Sequence, residues 1–253
     1  MDATAPIDLG RLRKSCAQCS LHALCLPASI GAADLARLDD IVKRKRPLQK
    51  GDRLFRVGSR LEALYVARDG AFKTVALDEE GRQQVIGFHL PGELIGLDGL
   101  ASGEHRCDAE ALASASVCEV PFGDLEKVAG MVPGLQHQLL RVIGQSMGRD
   151  HDHLEMLGRK GANERMALFL HTLSERYRAL GQSATEVHLP MSREDIASYL
   201  GMVIETVSRT LTRLQDDGLI SVRGRQLRIL DPRALNAMAH GLEADPRMAG
   251  RGH

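Results

Sequence analysis

The sequence predicts an α+β chain in three parts: an N-terminal antiparallel β-roll, a long amphipathic helix, and a C-terminal module of two short helices and a β-hairpin. Three observations predict it. Short β-like runs separated by glycines occupy 47–122, and an apolar stripe at heptad spacing follows Pro133. A helix, a glycine turn, a second helix and a hairpin then succeed one another over 192–229. The chain has 253 residues, which favours two compact units.

Composition narrows the class of protein. There are 33 Lys and Arg against 33 Asp and Glu, so a general coat of positive charge is excluded, although a local basic face is not. Aromatic residues make up 3% and Trp is absent, which argues against nucleic-acid binding by base stacking. No run approaches the ~20 apolar residues of a membrane span, and no export signal is visible. We therefore expect a cytoplasmic protein without membrane contact.

The β-roll is expected to form a sensor domain over 31–133, after a separate N-terminal segment of residues 1–30. Turn signals recur about every ten residues, as in antiparallel barrels and double-sheet rolls. The runs with β-strand character are 53–55, 63–67, 71–75, 85–88 and 116–120.

The long helix is expected over 134–161. Its seam residues alternate in steps of three and four: Leu140, Ile143, Met147, Asp150, Leu154 and Leu157. Such a seam predicts pairing with a second copy, and hence a homodimer. Asp150 is unusual there, because a symmetric parallel dimer would set it against its own copy, and burying like charges is costly. A slightly exposed or partnered Asp150 is the alternative. We interpret Ile143, Met147, Asp150 and Leu154 as a dimer switch.

The C-terminal module is expected over 162–230. An amphipathic helix over 163–180 ends at Gly181, and Ser192 with Asp195 resembles a capping box. The capping box begins a second helix, which ends at Gly201. A third helix follows over 203–216, and its buried stripe is predicted as Val203, Val207, Leu211 and Leu214. With the hairpin over 219–229, this order predicts a winged helix-turn-helix. The tail over 231–253 carries no signal.

The face of the third helix opposite its buried stripe suits base reading. Its residues are Glu205, Ser208, Arg209 and Thr212, with Arg223 and Arg225 on the hairpin. Arg can pair bidentately with guanine and Glu can accept from cytosine, while hairpin arginines suit phosphates. Taken alone, such a face is more often merely solvated. The helix, glycine turn, helix and basic hairpin together favour binding to double-stranded DNA.

Three cysteines lie close together in the N-terminal segment. Cys16, Cys19 and Cys25 form a Cys-x2-Cys-x5-Cys pattern. In a cytoplasmic protein such clusters indicate metal ligands or redox sensors rather than disulfides. Zinc and an iron–sulfur cluster both fit this ligand type. A fourth ligand could be Cys107, in a polar stretch, or Cys118, on an apolar strand where a cysteine is more often simply buried.

The roll, seam helix and winged helix, in this order, resemble the CRP/FNR family of bacterial transcription regulators over 16–230. Four motifs resemble its FNR (fumarate and nitrate reduction) branch: the three-cysteine pattern, Cys-Glu-Val-Pro-Phe at 118–122, Glu-x-x-Ser-Arg at 205–209, and the seam aspartate Asp150. The resemblance implies a cyclic-nucleotide-binding-like roll and a [4Fe–4S] cluster that senses O₂, held by Cys16, Cys19, Cys25 and Cys118. It also implies a dimeric activator of anaerobic genes that binds TTGAT-type half-sites and contacts RNA polymerase. Cys107 lies outside this pattern.

Three other functions compete. A zinc-stabilised regulator without a redox response has the same thiols. A cyclic-nucleotide-responsive regulator has the same scaffold, but Asp108 and Ala109 stand where nucleotide-binding relatives carry Arg and Ser, and an aspartate repels a phosphate. Arg106 is close enough that a shifted alignment would revive this reading. The sequence shows no nucleophile–base pair, HExxH motif or phosphate-binding loop, so we expect no enzyme.

Overall fold

The computed structural model describes residues 16–44 and 47–241; residues 1–15, 45–46 and 242–253, with most of the expected tail and half of the N-terminal segment, lie outside the described residues. No helix within the described part is long and apolar enough to cross a membrane. The strands are β1 (Lys43–Arg44), β2 (Arg53–Phe55), β3 (Ala63–Asp69), β4 (Phe72–Leu77), β5 (Gln83–His89), β6 (Leu94–Ile95), β7 (Asp108–Ala111), β8 (Ser116–Pro121), β9 (Glu186–His188), β10 (Ile220–Arg223) and β11 (Gln226–Ile229). The helices are α1 (Ala32–Ile41), α2 (Phe122–Met131), α3 (Pro133–Arg159), α4 (Ala162–Ala179), α5 (Arg193–Leu200), α6 (Ile204–Asp216) and α7 (Pro232–Ala239).

The predicted antiparallel roll is confirmed. It consists of two four-stranded sheets, in the orders β1-β8-β3-β6 and β2-β7-β4-β5, whose strand pairs are antiparallel. Side chains from both sheets meet in one apolar core that includes Phe55, Tyr65, Phe72, Ile95 and Val117. The sequence analysis does not predict β1, β6 or β7, because β1 and β6 have two residues each and β7 (Asp-Ala-Glu-Ala) contains no β-branched or aromatic residue.

Helices cover the outer face of the first sheet, which explains why β3 is buried on both sides. Its residues Leu64 and Val66 pack with Leu38 of α1, Leu125 of α2 and Leu135 of α3. The sequence analysis predicts neither α1 nor α2. Each buries only two side chains, so each has a weak helical signal.

Helix α3 is 27 residues long and has two different faces. The inner face buries Leu135, Gln138, Val142 and Met156 against the body of the protein. The outer face leaves Leu140 64%, Met147 55% and Leu154 66% exposed. Three large apolar side chains, each seven residues from the next, therefore form a stripe with no cover within the described chain.

The winged helix-turn-helix is confirmed in the C-terminal module. Ser192 caps α5, accepting from the Asp195 amide at 3.1 Å, while Asp195 accepts from the Ser192 amide at 2.9 Å. Gly201 ends α5 with φ of 61°, a left-handed conformation that glycine adopts without strain. Strands β10 and β11 form the wing, and β9, which the sequence analysis does not predict, pairs with β11.

One prediction for α6 is wrong. The stripe buries Val207, Leu211 and Leu214 as expected, but Val203 is 61% exposed. Thr210, which the sequence analysis does not include in the stripe, is buried. Val203 is the N-cap of α6 and has extended backbone angles, so the helical period does not reach it.

Two ion pairs join the roll to the C-terminal module. Lys73 of β4 contacts Asp195 of α5 at 2.8 Å, and Arg176 of α4 contacts Glu93 at 2.6 Å. Burial alone would lower the pKa of Lys73, but Asp195 and Glu110 raise it above its usual value. Burial alone would raise the pKa of Glu93, but Arg176 lowers it. Both pairs therefore stay charged near neutral pH.

Candidate thiol centre and DNA-binding surface

Four of the five cysteines line one small cavity between the N-terminal segment and the roll. Cys16, Cys19, Cys25 and Cys118 border a space of about 40 Å³. All four are half-buried. Cys107 does not line this cavity: it is buried in the core of the roll, where its Sγ donates to Asp98 at 3.4 Å.

Local structure sets the position of these thiols. Cys16 begins a short 3-10 turn, and its backbone amide donates to Asp39 of α1 at 2.9 Å. Cys25 is the N-cap of a second 3-10 turn, Leu26–Ser29. Cys118 sits in the middle of β8, opposite Val66 of β3. The cavity thus joins a turn-rich segment to a strand of the roll.

The surroundings of two of these thiols, Cys16 and Cys25, favour the neutral form. Burial, then the hydrogen bond and charge of Asp39, raise the pKa of Cys16 to about 12. Burial, only partly offset by the backbone amide of Leu26, raises the pKa of Cys25 to about 12. Cys118 contributes to both shifts, because a thiolate nearby disfavours a second negative charge. A bound cation would reverse this balance.

The donor set fits a thiolate-ligated centre. Four thiols surround a cavity whose other walls are mostly apolar, with Arg68 and His22 as polar members. Four thiolates are the ligand set of an iron–sulfur cluster or a structural zinc. As the side chains stand, no group of three His, Cys, Asp or Glu residues in the described chain is arranged to hold a metal ion.

The part of the N-terminal segment that carries Cys25 contacts α3 directly. The Gln138 side chain, buried on the inner face of α3, donates to the Cys25 carbonyl at 3.1 Å. Leu26, the next residue, is 1% exposed and packs in the same cluster as Leu135 and Val142. The segment that carries Cys25 therefore contacts the inner face of α3, while the apolar stripe lies on the outer face.

The exposed face of α6 carries the residues predicted to read bases. Glu205, Arg209 and Thr212 are exposed and Ser208 is half-buried. Ser208 Oγ accepts from Arg193 at 3.2 Å, a neighbour that the sequence analysis does not single out. Thr212 Oγ1 donates to the Ser208 carbonyl at 3.2 Å. No hydrogen bond or ion pair engages the side chains of Glu205 and Arg209 within the described residues, which leaves them available to a ligand.

The two wing arginines differ. Arg223, the last residue of β10, is exposed. Arg225, in the turn of the wing, donates from Nη1 to the Pro190 carbonyl at 2.9 Å. Arg225 thus also holds the wing against the segment that leads from β9 into α5.

Two carboxylates of the roll, those of Asp108 and Glu93, are both engaged by protein contacts. Asp108 is buried, accepts from the Val57 amide at 2.8 Å and faces Arg53 Nε at 3.3 Å. Glu93 is bound by Arg176 of α4. Neither carboxylate favours a phosphate.

A β-roll joined by a long helix to a winged helix-turn-helix defines the class of DNA-binding transcription regulators. The profile of the cyclic nucleotide-binding domain matches residues 45–130, and that of the Crp-like helix-turn-helix domain matches residues 164–238.

Relatives of known name place the chain more closely. It is 47% identical over 226 residues to the transcriptional activator protein Anr of Pseudomonas protegens, covering 89% of this chain and 93% of the relative. It is 40% identical over 233 residues to the fumarate and nitrate reduction regulatory protein of Escherichia coli K12, covering 92% and 93%. The solved structure of FixK2 from Bradyrhizobium japonicum matches with a TM-score of 0.72 at 33% identity, covering 81% of this chain and 98% of that one. The chain belongs to the CRP/FNR family of transcription regulators and is of the FNR type, so it is a regulator and not an enzyme.

Proposed function

We propose that this protein is an oxygen-responsive regulator of anaerobic genes, working in the cytoplasm as a homodimer with a [4Fe–4S] cluster. Cys16, Cys19, Cys25 and Cys118 would hold the cluster. The observation that carries the proposal is the shared cavity: three thiols from one segment meet a fourth from a distant strand. When bound, such a cluster supplies a centre that reacts with oxygen.

The chain's own residues would transmit binding of the cluster to α3 and so fix the position of this helix. Ligation by Cys25 and Cys118 fastens the N-terminal segment to β8. The Gln138 bond to the Cys25 carbonyl and the packing of Leu26 then hold the inner face of α3. Without ligation, the segment is tied only by such contacts.

The outer face of α3 would be the dimer interface. Leu140, Met147 and Leu154 form its exposed stripe, with Ile143 half-buried beside them. Asp150 is exposed on this face and would meet its own copy in a parallel dimer. The repulsion between two such carboxylates favours monomers, and a firmly held α3 offsets it. Dimer formation is then the step that oxygen controls.

The dimer would present two copies of α6 to paired TTGAT-type half-sites. Glu205, Ser208, Arg209 and Thr212 would read base edges, and Arg223 and Arg225 would lie near phosphates. Activation would follow from contacts between the DNA-bound dimer and RNA polymerase.

Specific observations support two alternative functions, a zinc-stabilised regulator and a nucleotide-responsive regulator. His22 borders the cavity, and a mixed Cys and His ligand set is typical of structural zinc. The match to the cyclic nucleotide-binding domain favours a nucleotide ligand, but the buried carboxylate of Asp108 and the half-buried carboxylate of Glu93 oppose it.

Anaerobic purification tests the proposal. We expect a coloured protein with about four iron and four sulfide per chain, whose visible absorption falls on exposure to air as the dimer dissociates. A colourless protein with stoichiometric zinc and no response to air would instead establish the zinc-stabilised regulator.

A further inference from the structure

The carboxyl end of α5 is held by three parts of the molecule at once. The last carbonyls of a helix have no partner within it and are ordinarily left to water or a cap. Here the carbonyl of Ser198 accepts from Gln84 Nε2. Tyr199 accepts from His153 Nε2 at 2.8 Å, and Leu200 accepts from Arg165 Nη1 at 3.0 Å.

The three donors come from different elements. Gln84 lies on β5 of the roll, His153 lies on α3, and Arg165 lies on α4. The roll, the long helix and the module therefore converge on consecutive peptide groups. Only Gly201, Met202 and Val203 separate this point from α6. Whatever orients the end of α5 thus orients the DNA-reading helix.

Arg165 binds the ends of two helices. Besides Leu200, its guanidinium donates to the carbonyls of Leu157 and Lys160, each at 2.8 Å, at the end of α3. The carboxyl ends of α3 and α5 both carry partial negative charge and would repel each other. One planar cation with several fixed donors offsets both charges and sets the angle between the helices.

His153 adds a rigid contact. Its ring stacks on Tyr199 with centroids 4.0 Å apart and 10° between the planes, and Tyr199 in turn packs against Phe88 of β5 and Phe169 of α4. Because the Tyr199 carbonyl can only accept, His153 must carry its proton on Nε2. His153 also lies three residues beyond Asp150 on α3.

We infer that Arg165, His153 and Gln84 are positioning residues that orient α6, and that a change in α3 reaches the DNA-reading face through His153 and Arg165. The positioning role rests only on the helix-turn-helix. The transmission role rests on the proposed function, in which α3 responds to the thiol centre.

The positioning role can be tested in the full chain without DNA or metal. His153→Phe keeps the ring but removes the donor, and Arg165→Lys keeps the charge but removes the fork. We expect both to raise deuterium uptake at 199–204 several-fold while uptake at β3 and β8 stays unchanged. His151→Phe and Arg159→Lys, at exposed positions of α3, serve as controls. Uptake at 199–204 equal to that of the wild type in both variants would overturn the inference.

A binding assay separates positioning from general destabilisation. The probes, each mixed with anaerobically prepared protein, are a duplex with two inverted TTGAT half-sites and a shuffled duplex. We expect His153→Phe to weaken binding of the first about tenfold and of the second hardly at all. Equal losses on both duplexes, with a lowered melting temperature, would make His153 merely structural. If the wild type does not prefer the TTGAT duplex, the proposed half-site is wrong, and the uptake measurement still decides the inference.

Transmission has its own test. Asp150→Ala is expected to give dimers and DNA binding in air. Adding His153→Phe should keep the dimers, seen by sedimentation, while specific DNA binding falls at least tenfold. Full DNA binding by the double variant would exclude transmission through His153.

Discussion

The N-terminal half of the molecule keeps its polar chemistry enclosed, whereas the C-terminal module displays it. Around the thiol cavity, burial and neighbouring charges hold Cys16 and Cys25 neutral, and the Glu93–Arg176 pair is removed from most solvent. On α6, Glu205 and Arg209 stand exposed and without partners among the described residues. Under the proposed function, the enclosed thiols would lose their protons when a metal centre binds. The exposed face of α6 is preformed, and only its orientation relative to DNA has to be set.

The largest expected effect comes from the enclosed half. Cys25→Ala removes a thiol from the cavity, so we expect complete loss of iron and of visible absorption in an anaerobic preparation. Cys107→Ala is the matched control, because Cys107 lies in the core of the roll, and its iron content should equal that of the wild type. Iron retained in Cys25→Ala, or lost in Cys107→Ala, would show that the ligands are wrongly assigned.

The next effect concerns the outer face of α3, which the proposed function assigns to the dimer interface. Asp150→Ala removes the like-charge contact of the proposed dimer, so we expect an air-exposed protein that sediments mainly as a dimer, where the wild type is mainly monomeric. Asp152→Ala, an exposed residue two positions on, should remain monomeric. An air-exposed Asp150→Ala that stays as monomeric as the wild type contradicts this role of the seam.

The third prediction compares an enclosed ion pair with an exposed one. Arg176→Ala removes the guanidinium that binds both oxygens of the half-buried Glu93 carboxylate and leaves it the Leu90 amide and the charge of Arg149, so the free energy of unfolding should fall by roughly 1.5–3 kcal/mol. Arg178→Ala breaks the exposed pair with Glu175 and should cost under about 1 kcal/mol. Urea denaturation of both variants gives the two values. Comparable losses would mean that enclosure does not distinguish the two regions.

The smallest effect is expected on the displayed face. Arg209→Ala should weaken binding to a TTGAT duplex by roughly 1–3 kcal/mol and relax specificity at one base pair. Folding and iron content should not change, because Arg209 has no partner among the described residues. Arg233→Ala, on an exposed position of α7, should bind like the wild type. A uniform loss across all base substitutions would assign Arg209 to a phosphate instead.

Sequence patterns predict the displayed face better than the enclosed one. The capping box of α5, the turn at Gly201 and the alternating wing are local signals, and the structure confirms each. Sequence chemistry leaves the fourth thiol open between Cys107 and Cys118, because only the fold decides which strand lies beside the N-terminal segment. The pairing of Arg165 and His153 with backbone carbonyls carries no sequence signal at all, since every residue supplies the same carbonyl.

The distance along the chain between Cys25 and Cys118 has a consequence for folding itself. A centre bound by both residues closes a loop of about 90 residues. In the chain-entropy treatment of cross-links, a closure of that size removes roughly 4–5 kcal/mol of freedom from the unfolded ensemble. The loop contains nearly the whole roll. Loss of the centre would therefore relax a topological constraint on the entire domain, and would make its spontaneous unfolding more frequent far from the thiols.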